Sequence, residues 1–259
     1  MLTGIGDMLN WLAAGAMFPL MLLPAAALAE GRRAGAVLWL ALVGAVSGAA
    51  FVFAAAAVDI DPPRFSAGSV AAVLGAAAIG TALIAVNGAR SLTERLSRLL
   101  DRITRRTGRL ALYLVMLMAL VQFSAVILRY VFGLNFIAMQ ESVTYMHGAV
   151  FLLAGGYALL TDDHVRVDIF YRDASPRSKA MIDLAGTYLF LFPFCLVALW
   201  AAGPYVANSW AVREGSMEQS GIKGVFLLKT LIPIYLTLLA CAGFVIAARS
   251  VAAIKSRSV

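Results

Sequence analysis

Residues 110–132 read LALYLVMLMALVQFSAVILRYVF, twenty-three positions with one charge, Arg129, near the end. A helix of that length rises about 35 Å, enough to cross the ~30 Å hydrocarbon core of a bilayer. Six further stretches have the same character: Met8 to Ala29, Gly35 to Val58, Ala67 to Ala89, Val143 to Leu160, Met181 to Gly203 and Val225 to Ala247. Only two of these carry a charge, Asp183 and Lys229, each close to an end where it can reach the interface. With 62% apolar and 14% charged residues, the chain reads as an all-α integral membrane protein of about seven transmembrane helices.

The formal charge of +7 would suggest nucleic acid in a soluble protein. Here the basic residues fall in short loops between apolar runs, where they act as topology signals, so nucleic acid is not an expected partner. Placing the N-terminus outside puts 16 of the 21 Lys and Arg on the cytoplasmic side, and the acidic loop Asp59-Ile60-Asp61 outside. The expected topology is N-out and C-in. Ala27-Leu28-Ala29 resembles a signal-peptidase site. No basic residue precedes the first apolar run, however, and cleavage would strand Arg32 and Arg33 outside, so the first span is expected to be retained.

Three segments follow. Residues 1–90 form an N-terminal extension of three spans, whose Gly44, Gly48, Ala72, Ala76 and Gly80 allow close helix approach. Residues 91–108 place Leu92, Leu96, Leu99, Leu100 and Ile103 at helical spacing among Arg95, Arg98, Arg102, Arg105 and Arg106. That pattern predicts an amphipathic interfacial helix lying on anionic membrane lipids, opened by a capping box of Ser91 and Glu94. A solvated linker helix is the alternative. Residues 109–259 form a four-helix membrane domain.

Candidate chemistry is sparse. His147 and His164 lack Cys or His at zinc spacing, and Cys195 and Cys241 lie singly in apolar runs. Asp162, Asp163, His164 and Asp168 can be drawn as a metal site, but Arg166, Arg172, Arg177 and Lys179 offer those acids ion pairs instead. No GxSxG, Walker-type glycine loop or HExxH occurs. The reading is of no catalytic residue, no metal and no cofactor in this chain. A self-contained transporter would show matched broken helices and polar groups at the midplane. Here Pro19, Pro24, Pro193 and Pro233 do not pair, and mid-span polarity is confined to residues such as Gln122 and Thr187.

The second half carries an ordered set of motifs. Arg129-Tyr130-Val131-Phe132-Gly133 is followed by Gln140-Glu141-Ser142, then Tyr157-Ala158-Leu159 and His164-Val165-Arg166-Val167-Asp168. Ser175-Pro176-Arg177, the polar Glu214 to Gly221 loop and Ile232-Pro233 complete it. Over residues 105–250 the chain resembles the small permease subunit of TRAP transporters (DctQ-like). The resemblance implies a bacterial inner-membrane protein paired with a large permease subunit and a periplasmic solute-binding protein. Uptake of organic acids would run on an ion gradient without ATP, with sodium held by the large subunit. Arg129, Glu141, His164 and Asp168 are the matched positions, with a structural or subunit-interface role: Glu141 and Arg129 are expected to pair with each other or with the partner. A seven-helix membrane sensor or scaffold binding a cytoplasmic partner is the competing reading.

Overall fold

The computed structural model of the chain describes residues 20–29, 79, 83, 84, 86–163, 169 and 171–256. Among them every regular element is helical. α1 is Leu20–Ala29, α2 Ala89–Tyr130, α3 Ile137–Thr161, α4 Pro176–Gly186, α5 Phe192–Ala211 and α6 Val225–Lys255. A π-turn, Thr187–Leu191, fuses α4 to α5. Four helical stretches are long and apolar enough to cross a membrane: α2, α3, the fused Pro176–Ala211, and α6. Of the three N-terminal spans read from the sequence, Gly35 to Val58 lies outside the described residues, and only parts of the other two lie within them. The described residues therefore give four spans.

α2 joins what the sequence reading separated. Its 42 residues rise about 63 Å, so the arginine-rich stretch and the apolar run Leu110–Tyr130 are one helix instead of an interfacial helix followed by a span. Nothing between them ends a helix. Gly108 is spent on close packing, since a Cβ there would strike the Tyr157 ring, and Arg105 Nε reaches Asp101 one turn back at 2.9 Å. A break would have exposed unpaired carbonyls and N–H groups next to the lipid. The capping box also does not form. Gly88, with φ of 76°, lets α2 begin at Ala89, so Ser91 lies inside the first turn and donates to the carbonyls of Asn87 and Gly88. Glu94 pairs with Arg90 at 3.2 Å.

The chain divides into two compact units. The first comprises residues 1–98, 176–181 and 247–259. In it Leu23, Ala26, Ala27, Ala89, Ala247 and Val251 are buried, and Thr93 Oγ1 donates to the Ala89 carbonyl at 2.7 Å. A cavity of about 350 Å³ is walled by Ala27, Ala248, Val251 and Ala252, with Arg90, Glu94 and Lys255 among its polar lining.

The second unit, residues 99–175 and 182–246, is organised around α6. Of the apolar stretch of α6, 44% is buried, against 6% for that of α2, so α6 is the central helix and α2 an outer one. α3 and α6 run parallel at a constant offset of eighty positions: Gly148 faces Leu228, and Gly155 faces Tyr235. Gly156 lies against Leu238, where a Cβ would sit 2.8 Å from the carbonyl oxygen. Only a missing side chain permits that approach. Below it Leu160, Ala242 and Val245 form a buried cluster packed by Leu100, Leu159 and Ile246.

The π-turn has a local cause. Pro193 has no N–H and its ring would crowd the carbonyl of Leu189, four residues back. One residue ahead of it, the Phe192 N–H reaches past to Thr187, which widens the helix there. Gly243 of α6 faces this widened turn, where a Cβ would lie 2.5 Å from Leu191 Cδ2.

Candidate functional site at the α5–α6 junction

The densest polar geometry of the second unit lies where α5 turns into α6, through residues 212–224. Arg213 takes φ of 47°, which reverses the chain and lets the Glu214 N–H bond the Ser209 carbonyl at 3.0 Å. The loop then closes on itself: Ser216 N–H to Ile222 carbonyl at 3.1 Å, and Gly221 N–H to Glu218 carbonyl at 3.1 Å. The Phe226 N–H, at the start of α6, bonds the Glu214 carbonyl at 3.3 Å.

α3 holds this loop through two side chains one turn apart. The carboxylate of Glu141 accepts the Ser216 hydroxyl on one oxygen and the Ile222 N–H on the other at 2.6 Å. Tyr145 donates to the Ile222 carbonyl at 3.4 Å. Both backbone groups of Ile222 are thus satisfied from α3. Gly221 is needed beside it, since a Cβ there would lie 2.7 Å from Glu141 Oε1.

A second set of contacts ties α5, the loop and α6. Lys229 Nζ meets Glu214 Oε2 at 2.5 Å and stands 4.0 Å over the Tyr205 ring. Trp210 donates to Thr230 Oγ1 at 2.8 Å and packs edge-on against Phe226 at 4.8 Å. The Lys229 ammonium, bonded to Glu214, holds that carboxyl below its ordinary value of 4.5. A carboxyl whose pKa is lowered by folding stabilises the fold above 4.5, and the contribution is lost as pH falls through the lowered value. In melting curves of the detergent-solubilised chain, Glu214→Gln should flatten the stability loss between pH 5 and the acid limit. An unchanged profile would mean the ion pair contributes nothing to the fold.

The matched residues are placed as follows. Glu141 is at the centre of the loop contacts. Arg129 is in the last turn of α2 with its guanidinium 5.9 Å from the Tyr130 ring, and Glu141 is engaged by Ser216 and Ile222 instead of by Arg129. His164 and Asp168 lie outside the described residues, as does most of the acidic cluster around them. Among the described residues no group of three or more His, Cys, Asp or Glu is placed to hold a metal. Asp183, the charge in the sixth apolar run, accepts the Tyr171 hydroxyl at 2.9 Å.

Sequence reasoning missed Ser216 and Ile222 as partners of Glu141, Tyr145 as a partner of Ile222, and Lys229 with Glu214. The second pair had a signal. An ammonium inside an apolar run requires a partner, and Glu214 is the first acid in the loop preceding that run. The first pair had none, since 75 and 81 residues separate Glu141 from its two donors.

The geometry has the character of a brace. Its polar groups bond to one another, and its anchors are backbone groups and aromatic rings. No curated protein and no solved structure matches the chain. A family model described as "Tripartite ATP-independent periplasmic transporters, DctQ component" matches residues 118–257, which takes in the end of α2, the whole of α3, α4 and α5, the braced loop and all of α6. That is a transporter component and not an enzyme family, and the match covers more than half of the 259 residues. The chain belongs to the DctQ family, the small membrane component of the tripartite ATP-independent periplasmic transporters.

Proposed function

We propose that this chain is the scaffold subunit of an ion-gradient-driven, ATP-independent uptake system for organic acids. It would sit in the bacterial inner membrane with its N-terminus periplasmic and its C-terminus cytoplasmic. The large permease subunit would hold the sodium and substrate sites, and a periplasmic solute-binding protein would deliver a carboxylate. The observation that carries the scaffold role is the braced loop: Glu141, Tyr145, Glu214 and Lys229 are used to fix the ends of α3, α5 and α6 against each other. A rigid end on a bundle whose outer helix α2 is apolar and little covered suits a wall against which a partner moves. The positions Arg129, Glu141, His164 and Asp168 are assigned structural or subunit-interface roles on this reading.

Uptake measurements test it. Cells lacking this chain, with the large permease and binding protein intact, should lose accumulation of a radiolabelled carboxylate. In the complemented strain, uptake should stop when the sodium gradient is collapsed and persist when ATP synthesis is blocked. Full uptake without the chain would reject the scaffold role, and uptake that follows ATP would reject the coupling.

The extension, residues 1–90, is assigned a packing role against the rest of the assembly. Removing it should reduce recovery of the intact complex and transport together. If both are unchanged, the extension is dispensable for packing.

A further inference from the structure

The portion of α2 in the second unit has three faces. Leu100, Thr104, Gly108 and Ala111 recur at spacings of four, four and three; Thr104 and Ala111 are buried, Leu100 packs on the Leu160 cluster and Gly108 meets Tyr157. This face belongs to the bundle. On the opposite side Arg102, Arg106 and Arg109 follow at spacings of four and three, all exposed, which puts them on one stripe a turn apart. Beside them runs a third stripe, Leu99, Ile103 and Leu110, exposed at 50%, 41% and 51%.

Two further features bear on what this surface meets. The nearest acid in the helix, Asp101, is already bonded to Arg105 at 2.9 Å, and among the described residues no carboxylate forms an ion pair with Arg102, Arg106 or Arg109. The stripes also stop at one place: from Leu110 to Val121 the same helix carries no charged residue on any face, with Leu112, Tyr113 and Met116 at 63%, 75% and 69% exposure. Charge gives way to apolar surface within a single turn. A solvated face has no use for the aliphatic stripe, and a purely apolar contact has none for three guanidiniums. A phospholipid headgroup layer supplies both partners at that boundary: phosphate oxygens for planar guanidiniums, and the upper acyl chain for the aliphatic stripe.

We infer that Arg102, Arg106 and Arg109, with Leu99, Ile103 and Leu110, bind anionic phospholipid headgroups. The inference stands apart from the transport reading, since it concerns a surface of α2 and needs no permease. The full chain in neutral detergent, titrated with phosphatidylglycerol or with phosphatidylcholine and read by native mass spectrometry, tests it. Each arginine near an anionic surface is worth about a fivefold change in affinity, so the triple variant R102Q/R106Q/R109Q should bind phosphatidylglycerol on the order of 100-fold more weakly. The R102K/R106K/R109K variant, which keeps the charge, should stay within about tenfold of the native chain, and its helical circular dichroism serves as the folding control. If the triple glutamine variant does not fold, Arg106→Gln alone should still show the fivefold loss. Equal binding of the two lipids by the native chain would overturn the inference and leave the stripe to a protein partner. So would an unaltered phosphatidylglycerol affinity in the glutamine variants, or displacement by inorganic phosphate at lipid-like concentrations, which marks a free-anion site.

Discussion

Replacing Gly156 with alanine is expected to destabilise the bundle by about 1–3 kcal/mol, the usual cost of forcing a methyl group into a packed site. The added Cβ would lie 2.8 Å from the Leu238 carbonyl oxygen and 3.0 Å from its carbon. Both are backbone atoms of the central helix, so relief requires α3 and α6 to separate as bodies. Gly155→Ala is the internal control. Its Cβ meets Tyr235 Cε2 at 2.5 Å, the outer part of a ring that can rotate away, so that substitution should cost less. Thermal melts of the detergent-solubilised variants check the order. Equal melting temperatures for the two would show that the α3–α6 approach is softer than the backbone contact implies.

The second large effect is expected at Glu141. Truncation to alanine removes the acceptor for the Ile222 N–H and the Ser216 hydroxyl together, which leaves the longer Tyr145 bond as the loop's remaining side-chain hold on α3 while its own backbone bonds stay in place. Local opening governs access of a protease to a folded chain, so trypsin cleavage after Arg213 or Lys223 should accelerate by about tenfold in Glu141→Ala. Glu141→Gln keeps one acceptor oxygen and should fall between the two. Transport should drop in the same order. If cleavage is unchanged in the alanine variant, the carboxylate is not what holds the loop.

These two sites differ in how far they could be read from the amino-acid order. The four described spans were legible because lipid demands long uninterrupted apolar runs, and Leu110 to Phe132 meets that demand by itself. The boundary before it was not legible. Gly108 reads equally as a helix end or as a packing position, and the ring of Tyr157, 49 residues later, is what decides it. Gly155 and Gly156 were likewise silent: the small-residue argument was applied to the first three spans, and the approach of Gly156 to the Leu238 backbone is in the fifth. Glu141 could be singled out from the motif around it, while its donors, on the far side of two helices, could not be read. Pro193 reads only as an unpaired span proline, and the π-turn before it lies against Gly243, which leaves room on the facing helix.

Among the described residues little resembles a transport pathway. A pathway needs polar groups with unmet bonding capacity at the midplane. The carboxylates and the ammonium that mark the braced end of the second unit are bonded within it, and the in-helix hydroxyls of Thr187 and Thr237 donate to their own backbone at 2.8 Å. On the scaffold reading proposed above, the chain's contribution to uptake is to hold surfaces in place.

The most direct test of that account is to tag the chain at its native level of expression, extract it in mild detergent and determine what co-purifies in stoichiometric amount. The account predicts a large multi-span permease eluting with it as one complex that survives gel filtration, with the complex weakened by Glu141→Ala. Elution of the folded chain alone, with the permease present in the same membranes and migrating separately, would contradict it.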